Sequence, residues 1–227
     1  MSPDATRSPG ETAFPGTHAE STVGPHADTD DTRPPLGTGR IEAADLGAFA
    51  LEAGGPSIPL VLAYRHDGPG PDAPQILVIH ALTGSADAAG DWWAPLIGPG
   101  RVLDTDRFGV LCANLLGGRY GSSGPISINP ATGEAWGAAF PQPTSRDEAR
   151  AMWALADRLG IERFALVAGG SLGGMIALEV ALERPASVGH VVPLGAPAAT
   201  GAMAIAWNHI QLELIDAFGD RGLALAR

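Results

Sequence analysis

The chain has 227 residues and no lysine, so all 14 of its basic residues are arginine. That absence removes two classes of chemistry. Schiff-base catalysis needs a lysine amine, and a nucleotide-binding P-loop needs a lysine to reach the phosphates. Cysteine is nearly as scarce. The single thiol, Cys112, lies in the apolar run Val110-Leu111-Cys112-Ala113, which rules out an internal disulfide and reads as a buried structural group rather than a reactive one. Positive charge is also in short supply, because 25 acidic residues leave a net charge of −11. Such a balance argues against a nucleic-acid partner or an anionic membrane surface. No apolar run is long enough to span a membrane and the N-terminus lacks a secretory core, so the expected location is the cytoplasm.

What is present suits an enzyme with one sizeable core, since 45% of the residues are hydrophobic. Residues 1–40 are the exception. They hold six prolines, five glycines and the cluster Asp28, Asp30 and Asp31, with scarcely any apolar periodicity, and are expected to form a disordered tail. From Arg40 onward the pattern alternates. Strands are expected near 43–51, 57–65, 75–80, 108–114, 163–168 and 188–194, and helices near 144–159, 171–184 and 202–217. Such interleaving implies an α/β fold with a mainly parallel sheet covered by helices on both faces, and an antiparallel hairpin at its start.

The richest stretch is Val167-Ala168-Gly169-Gly170-Ser171-Leu172-Gly173-Gly174-Met175. It joins the apolar run Phe164-Ala165-Leu166-Val167 to a helical pattern through Gly-x-Ser-x-Gly, the signature of a nucleophile elbow. A serine hydroxyl is a weak nucleophile, and the elbow lifts it onto a sharp turn where a base can reach it. Gly169 and Gly173 stand two residues either side of Ser171, where strand and helix pack too closely for a side chain. Met175, Leu178 and Leu182 recur at helical spacing until Arg184-Pro185 stops the helix.

A second segment belongs with the elbow. Ile76-Leu77-Val78-Ile79-His80 ends a strand and enters the loop Ala81-Leu82-Thr83-Gly84. Acyl transfer builds negative charge on a carbonyl oxygen, which two N–H donors can stabilise. The Leu172 N–H, next after the nucleophile, is one candidate and the Leu82 N–H is the other. His80 reads as a histidine hydrogen-bonded within its loop rather than a catalytic base.

These segments resemble the homoserine O-acetyltransferases, members of the α/β-hydrolase superfamily. His80 to Gly84 is followed in family order by Trp92-Trp93, Leu96 to Gly100, Leu103 to Arg107, Asn114 to Gly118 and Tyr120 to Pro125. Ser127 to Pro130, Thr132-Gly133, Phe140-Pro141, Arg146-Asp147, Leu159 to Arg163 and the elbow itself continue the match. The resemblance covers about residues 60–227. It implies acyl transfer rather than hydrolysis: Ser171 would take an acetyl group from acetyl-CoA and pass it to the hydroxyl of L-homoserine in methionine biosynthesis. It implies no resident cofactor or metal, acetyl-CoA being a co-substrate, and a homodimer as the assembly of the full-length family. In the segment Gly219 to Arg227 the last arginine matches one that helps bind substrate, which would make Arg227 a clamp for the substrate carboxylate.

The chain departs from the family in two ways. Tyr64 to Gly68 is a shortened form of an early strand-turn segment. A triad of this superfamily runs serine, acid, histidine, and after Ser171 the only histidines are His190 and His209. The acids between Ser171 and His209 are Glu179 and Glu183, on the helix that starts at the serine; Asp216 and Asp220 have no histidine after them. His190 is read as opening a strand, and His209 as lying in an amphipathic helix beside Trp207. No triad can be drawn in that order, so residues 41–227 are expected to form an incomplete domain without its C-terminal part, inactive alone. Two other readings stay open: a related acyltransferase using serine or another acyl donor, and a non-catalytic interaction protein that keeps the fold.

Overall fold

Short apolar runs build the centre of the sheet. In the computed structural model, which describes residues 34–226, the strands are β1 (Ile41–Phe49), β2 (Ile58–Asp67), β3 (Gln75–Ile79), the two-residue β4 (Ile97–Gly98) and β5 (Leu103–Asp104), β6 (Gly109–Ala113), β7 (Phe164–Gly170) and β8 (Val188–Leu194). The helices are α1 (Ser145–Leu159), α2 (Leu172–Glu183), α3 (Ala202–Phe218) and α4 (Asp220–Leu225). Every residue of β3 and β6 is buried, as expected of strands covered on both faces. The main sheet has the order β1-β2-β6-β3-β7-β8. Its last four strands are parallel, β1 and β2 form the expected antiparallel hairpin, and β2 also runs antiparallel to β6.

Alternation along the strands sorts the core into two layers. Leu77, Ile79, Leu111 and Ala113 face one way and pack with Met152, Trp153 and Leu155 of α1 and with Ile176, Ala177 and Val180 of α2. Ile76, Val78, Val110 and Cys112 face the other way and meet Ala88, Ile97, Leu103, Trp92, Trp93 and Phe108. Among the described residues this second layer contains no helical residue, which corrects the expectation of helices on both faces. Turns and the small β4–β5 pair fill it instead. The buried thiol expected at Cys112 is found there, and burial raises its pKa far above the ordinary range.

Helix α1 begins and ends on clear signals. Thr144 accepts the Asp147 N–H at 3.1 Å while the Asp147 carboxylate accepts the Thr144 N–H at 3.0 Å, a reciprocal cap. Gly160 closes the other end in the left-handed region, φ 76°. Between them Trp153 packs on Phe164, ring centroids 5.2 Å apart, and its indole N–H donates to the Val180 carbonyl at 2.9 Å. This residue joins α1, α2 and β7.

Two further expectations need correction. The expected tail reaches residue 40, but Pro35 accepts the Tyr64 hydroxyl and the Gly37 N–H donates to His66 Nδ1 at 2.9 Å, so residues 34–40 lie against β2. Residues 1–33 lie outside the described residues. On α2 the buried face is Gly173, Gly174, Ile176, Ala177 and Val180, whereas Leu182 is 72% exposed. The helix is apolar nearly all round, so spacing alone did not single out the core face. Helix α3, expected to be amphipathic, buries none of its residues; Met203, Trp207 and Leu212 are all exposed.

Replacing Trp153 with alanine should cost about 3–5 kcal/mol, because it removes a fully buried ring together with its indole hydrogen bond to the Val180 carbonyl. Urea unfolding followed by circular dichroism checks this, and a loss below about 1 kcal/mol would mean that α1 does not depend on this contact.

Candidate active site

The turn between β7 and α2 is set by two backbone contacts. A methyl group on Gly169 would collide with the Gly173 carbonyl, and one on Gly173 would collide with the Ile79 carbonyl and come within 2.6 Å of the His80 carbonyl oxygen. The glycines thus let three backbones meet: the end of β7, the start of α2 and the end of β3. Ser171 sits at the apex with φ 54° and ψ −121°, and is the one residue other than glycine with positive φ among the described residues. Its N–H donates to the Leu194 carbonyl at 2.8 Å, and its carbonyl accepts the N–H groups of Gly174 and Met175 at 2.9 and 3.2 Å. The residue is exposed. A serine strained in this way and held on both sides is the geometry of a nucleophile elbow.

Leu172 is the first residue of α2, so its N–H has no partner one turn earlier in the helix. The loop after β3 is a turn closed by the Gly84 N–H donating to the Ala81 carbonyl at 2.9 Å. Leu82 occupies a central position of that turn, with its side chain 77% exposed. Because Gly173 abuts the carbonyls of Ile79 and His80, this loop and the start of α2 lie side by side. Arg227 lies outside the described residues.

His80 is 4% exposed and fully engaged. Its Nδ1 lies 2.7 Å from the Ala81 carbonyl and its Nε2 accepts the Leu115 N–H at 3.2 Å, which fixes the neutral tautomer with the proton on Nδ1. Burial lowers its pKa, against a smaller opposing effect of the Ala81 carbonyl. The reading of His80 as a loop histidine therefore agrees with its geometry.

No hydrogen bond joins Ser171 to a histidine among the described residues. His66 is buried against Gln75 and Gly37 at the start of β3. His190 pairs in register with Leu166, five residues before Ser171, or roughly 16 Å along the strand. His209 is exposed on α3, 3.9 Å from Glu213. Among the described residues no group of three His, Cys, Asp or Glu side chains could hold a metal ion, and no helix is long and apolar enough to cross a membrane.

Two polar residues near the strand ends escaped sequence reasoning. Asn114, just after β6, accepts the Ala86 N–H at 2.6 Å and donates to the Tyr120 carbonyl at 2.5 Å, joining two loops. Glu148 is 6% exposed and accepts the Leu116 N–H at 3.1 Å. A signal for Glu148 existed: it shares the helical stripe of Met152, Leu155 and Leu159, where a carboxylate is out of place.

Residues 74–222 match the family model for the alpha/beta hydrolase fold. The chain is 43% identical over 203 residues to homoserine O-acetyltransferase of Moorella thermoacetica, covering 78% of this chain and 54% of that protein. It is 48% identical over 149 residues to homoserine O-succinyltransferase of an Azoarcus species, covering 62% and 40%. Among solved structures, homoserine O-acetyltransferase from Bacillus anthracis is similar, with a TM-score of 0.74 at 28% identity over 82% of this chain and 58% of that one. The chain spans about half the length of the curated relatives it matches.

Backbone strain at Ser171 can be measured directly. Ser171→Gly and Ser171→Ala both lose the hydroxyl, but only glycine relaxes at positive φ, so the glycine variant should be the more stable by about 1 kcal/mol. Equal unfolding free energies for the two variants would show that the turn is not strained at this residue.

Proposed function

We propose that this chain, which belongs to the α/β-hydrolase fold family, carries the nucleophile half of a homoserine O-acyltransferase. The observation that carries the reading is the positive-φ serine inside Gly-x-Ser-x-Gly, set between a strand and a helix in a chain whose relatives bear that activity in their names. Ser171 Oγ attacks the thioester carbonyl of acetyl-CoA, the C–S bond breaks, and coenzyme A leaves as its thiol. Two donors, the N–H groups of Leu172 and Leu82, stabilise the developing oxyanion. The homoserine hydroxyl then attacks the acyl-serine, and the acetyl group moves to the substrate oxygen while the serine hydroxyl is restored. Arg227 holds the substrate carboxylate through a bidentate pair.

A methionine-forming route in the cytoplasm fits this substrate pair, and no resident cofactor is needed. The succinyltransferase relative supports a second reading in which the acyl donor is succinyl-CoA. Neither reading gives Ser171 a base among the described residues, so this 227-residue chain should turn over poorly by itself.

The test is a fusion of this chain to the C-terminal section of the Moorella enzyme, offered acetyl-CoA or succinyl-CoA with homoserine or serine. Rapid quenching and mass spectrometry should find an acyl group on Ser171, and Ser171→Ala should abolish it and lower turnover by at least about 1000-fold. Arg227→Ala should weaken use of homoserine while sparing the acyl-enzyme step. A fused protein that turns over homoserine equally well as Ser171→Ala overturns the nucleophile assignment; strict preference for succinyl-CoA or for serine overturns the acetyl or homoserine assignment.

A further inference from the structure

Two buried titratable side chains, neither of them a participant in acyl transfer as proposed above, grip neighbouring backbone amides. His80, at the end of β3, accepts the Leu115 N–H, and Glu148, in the first turn of α1, accepts the Leu116 N–H. Leu115 and Leu116 lie one residue beyond β6, after Asn114, and β6 is the parallel neighbour of β3, as β3 is of β7. The amides therefore lie at the same end of the sheet as Ser171, and the carbonyl of His80 is one of the two against which Gly173 packs. One residue thus supports the serine turn with its backbone carbonyl and holds the loop after β6 with its side chain.

We propose that His80 and Glu148 form a clasp on the consecutive amides of Leu115 and Leu116, positioning that loop beside the serine turn and releasing it when either side chain becomes charged. The two jaws fail in opposite directions of pH. A protonated His80 carries a proton on Nε2, so a donor would face the Leu115 N–H and the bond is lost. An ionised Glu148 would be a charge taken out of water with one N–H to replace its solvation, which favours opening toward solvent.

The surroundings support both limbs. Burial and the Ala81 carbonyl are what act on His80, with no charged side chain among them, and its pKa lies below the ordinary 6.5. Burial raises the Glu148 carboxyl from 4.5 to about 8; the Leu116 N–H pulls it back, and Asp147 beside it pushes it up further. Asp147 is already satisfied by the N–H groups of Glu52 and Thr144 and by Arg150 at 3.5 Å. The sign follows from linkage. A carboxyl raised in the folded state contributes stability that is present below pH 4.5 and lost as pH rises to about 8. A histidine lowered in the folded state contributes stability that is present above pH 6.5 and lost as pH falls through its folded value. The Glu148 jaw therefore loosens as pH rises from 4.5 to about 8, and the His80 jaw loosens as pH falls below 6.5. The inference does not depend on the acyl-transfer reading.

Residue-resolved amide hydrogen exchange on the intact chain between pH 5 and 9 tests it, with each rate corrected for the intrinsic pH dependence and compared with the core amides of Met152 and Leu155. Protection at Leu116 should fall about tenfold for each pH unit up to about 8 and level off above it, and protection at Leu115 should fall on the acid side, below pH 6.5. Glu148→Gln should remove the alkaline limb alone, and His80→Gln, whose amide oxygen can still accept the Leu115 N–H, the acid limb alone. Protection that stays flat over this range in the unmodified chain, or that follows the core amides throughout, overturns the proposal even if a variant fails to fold. Limbs that persist in both variants overturn it as well.

Discussion

Everything at the functional end of this molecule depends on three backbones approaching more closely than side chains allow. Gly169 meets the Gly173 carbonyl, and Gly173 meets the carbonyls of Ile79 and His80. With that contact made, the start of α2 can point only across the end of β3, and the amide of Leu172 falls beside the loop 81–84. The contact also dictates the conformation of Ser171. The chain must turn from strand to helix within one residue, and positive φ is how it does so. The bonds from Leu194 and to Gly174 and Met175 hold the strained residue in place.

The sheet is supported differently on its two faces, and the difference is physical. Against α1 and α2 the packing is helix on strand, with Trp153 as the common contact, and apolar burial fixes the geometry. The opposite face is covered by irregular chain, for which apolar contact alone specifies little because turns have no repeating surface to interlock. Polar side chains supply that specification. Arg65 pairs with Asp67 through two bonds of 2.8 Å and reaches Asp87 at 2.5 Å, the Trp92 indole donates to the Ser85 carbonyl at 3.0 Å, and Asn114 ties Ala86 to Tyr120. The Arg65–Asp87 and Asn114–Ala86 bonds fasten the segment 85–93 to β2 and to the end of β6, while the Trp92–Ser85 bond closes the segment on itself.

Legibility in the sequence followed the same division. Strands and helices whose pattern is local were readable: the capped start of α1 at Thr144, the apolar runs of β3 and β6, and the glycine-flanked Ser171. What failed was any property that belongs to the tertiary environment. The second sheet layer looked like helix territory because βα alternation is a rule of thumb about connections, whereas the chain between β3 and β6 is cut by Pro95, Pro99, Gly98 and Gly100 into turns. The buried face of α2 could not be read, because a helix that is apolar nearly all round has no stripe to mark it. Glu148 was missed although its position among Met152, Leu155 and Leu159 was visible, since a charge on a buried stripe makes sense only once its amide partner 32 residues away is known.

Buried polar groups divide between the two ends of the sheet, and the division explains which parts can move independently. At the start of β3, His66 accepts from Gly37 and bonds Gln75 at 2.9 Å, while Gln75 donates to the carbonyls of Gly70 and Ala73, so this end fastens the approach to β1. At the other end His80, Asn114 and Glu148 fasten loops around Ser171. Between the two sets the strands β3 and β6 contain only apolar buried residues after Gln75, with no polar side chain to relay a change. Loosening His66 therefore acts first on the segment before β1, and loosening His80, Asn114 or Glu148 acts first on the loops around Ser171.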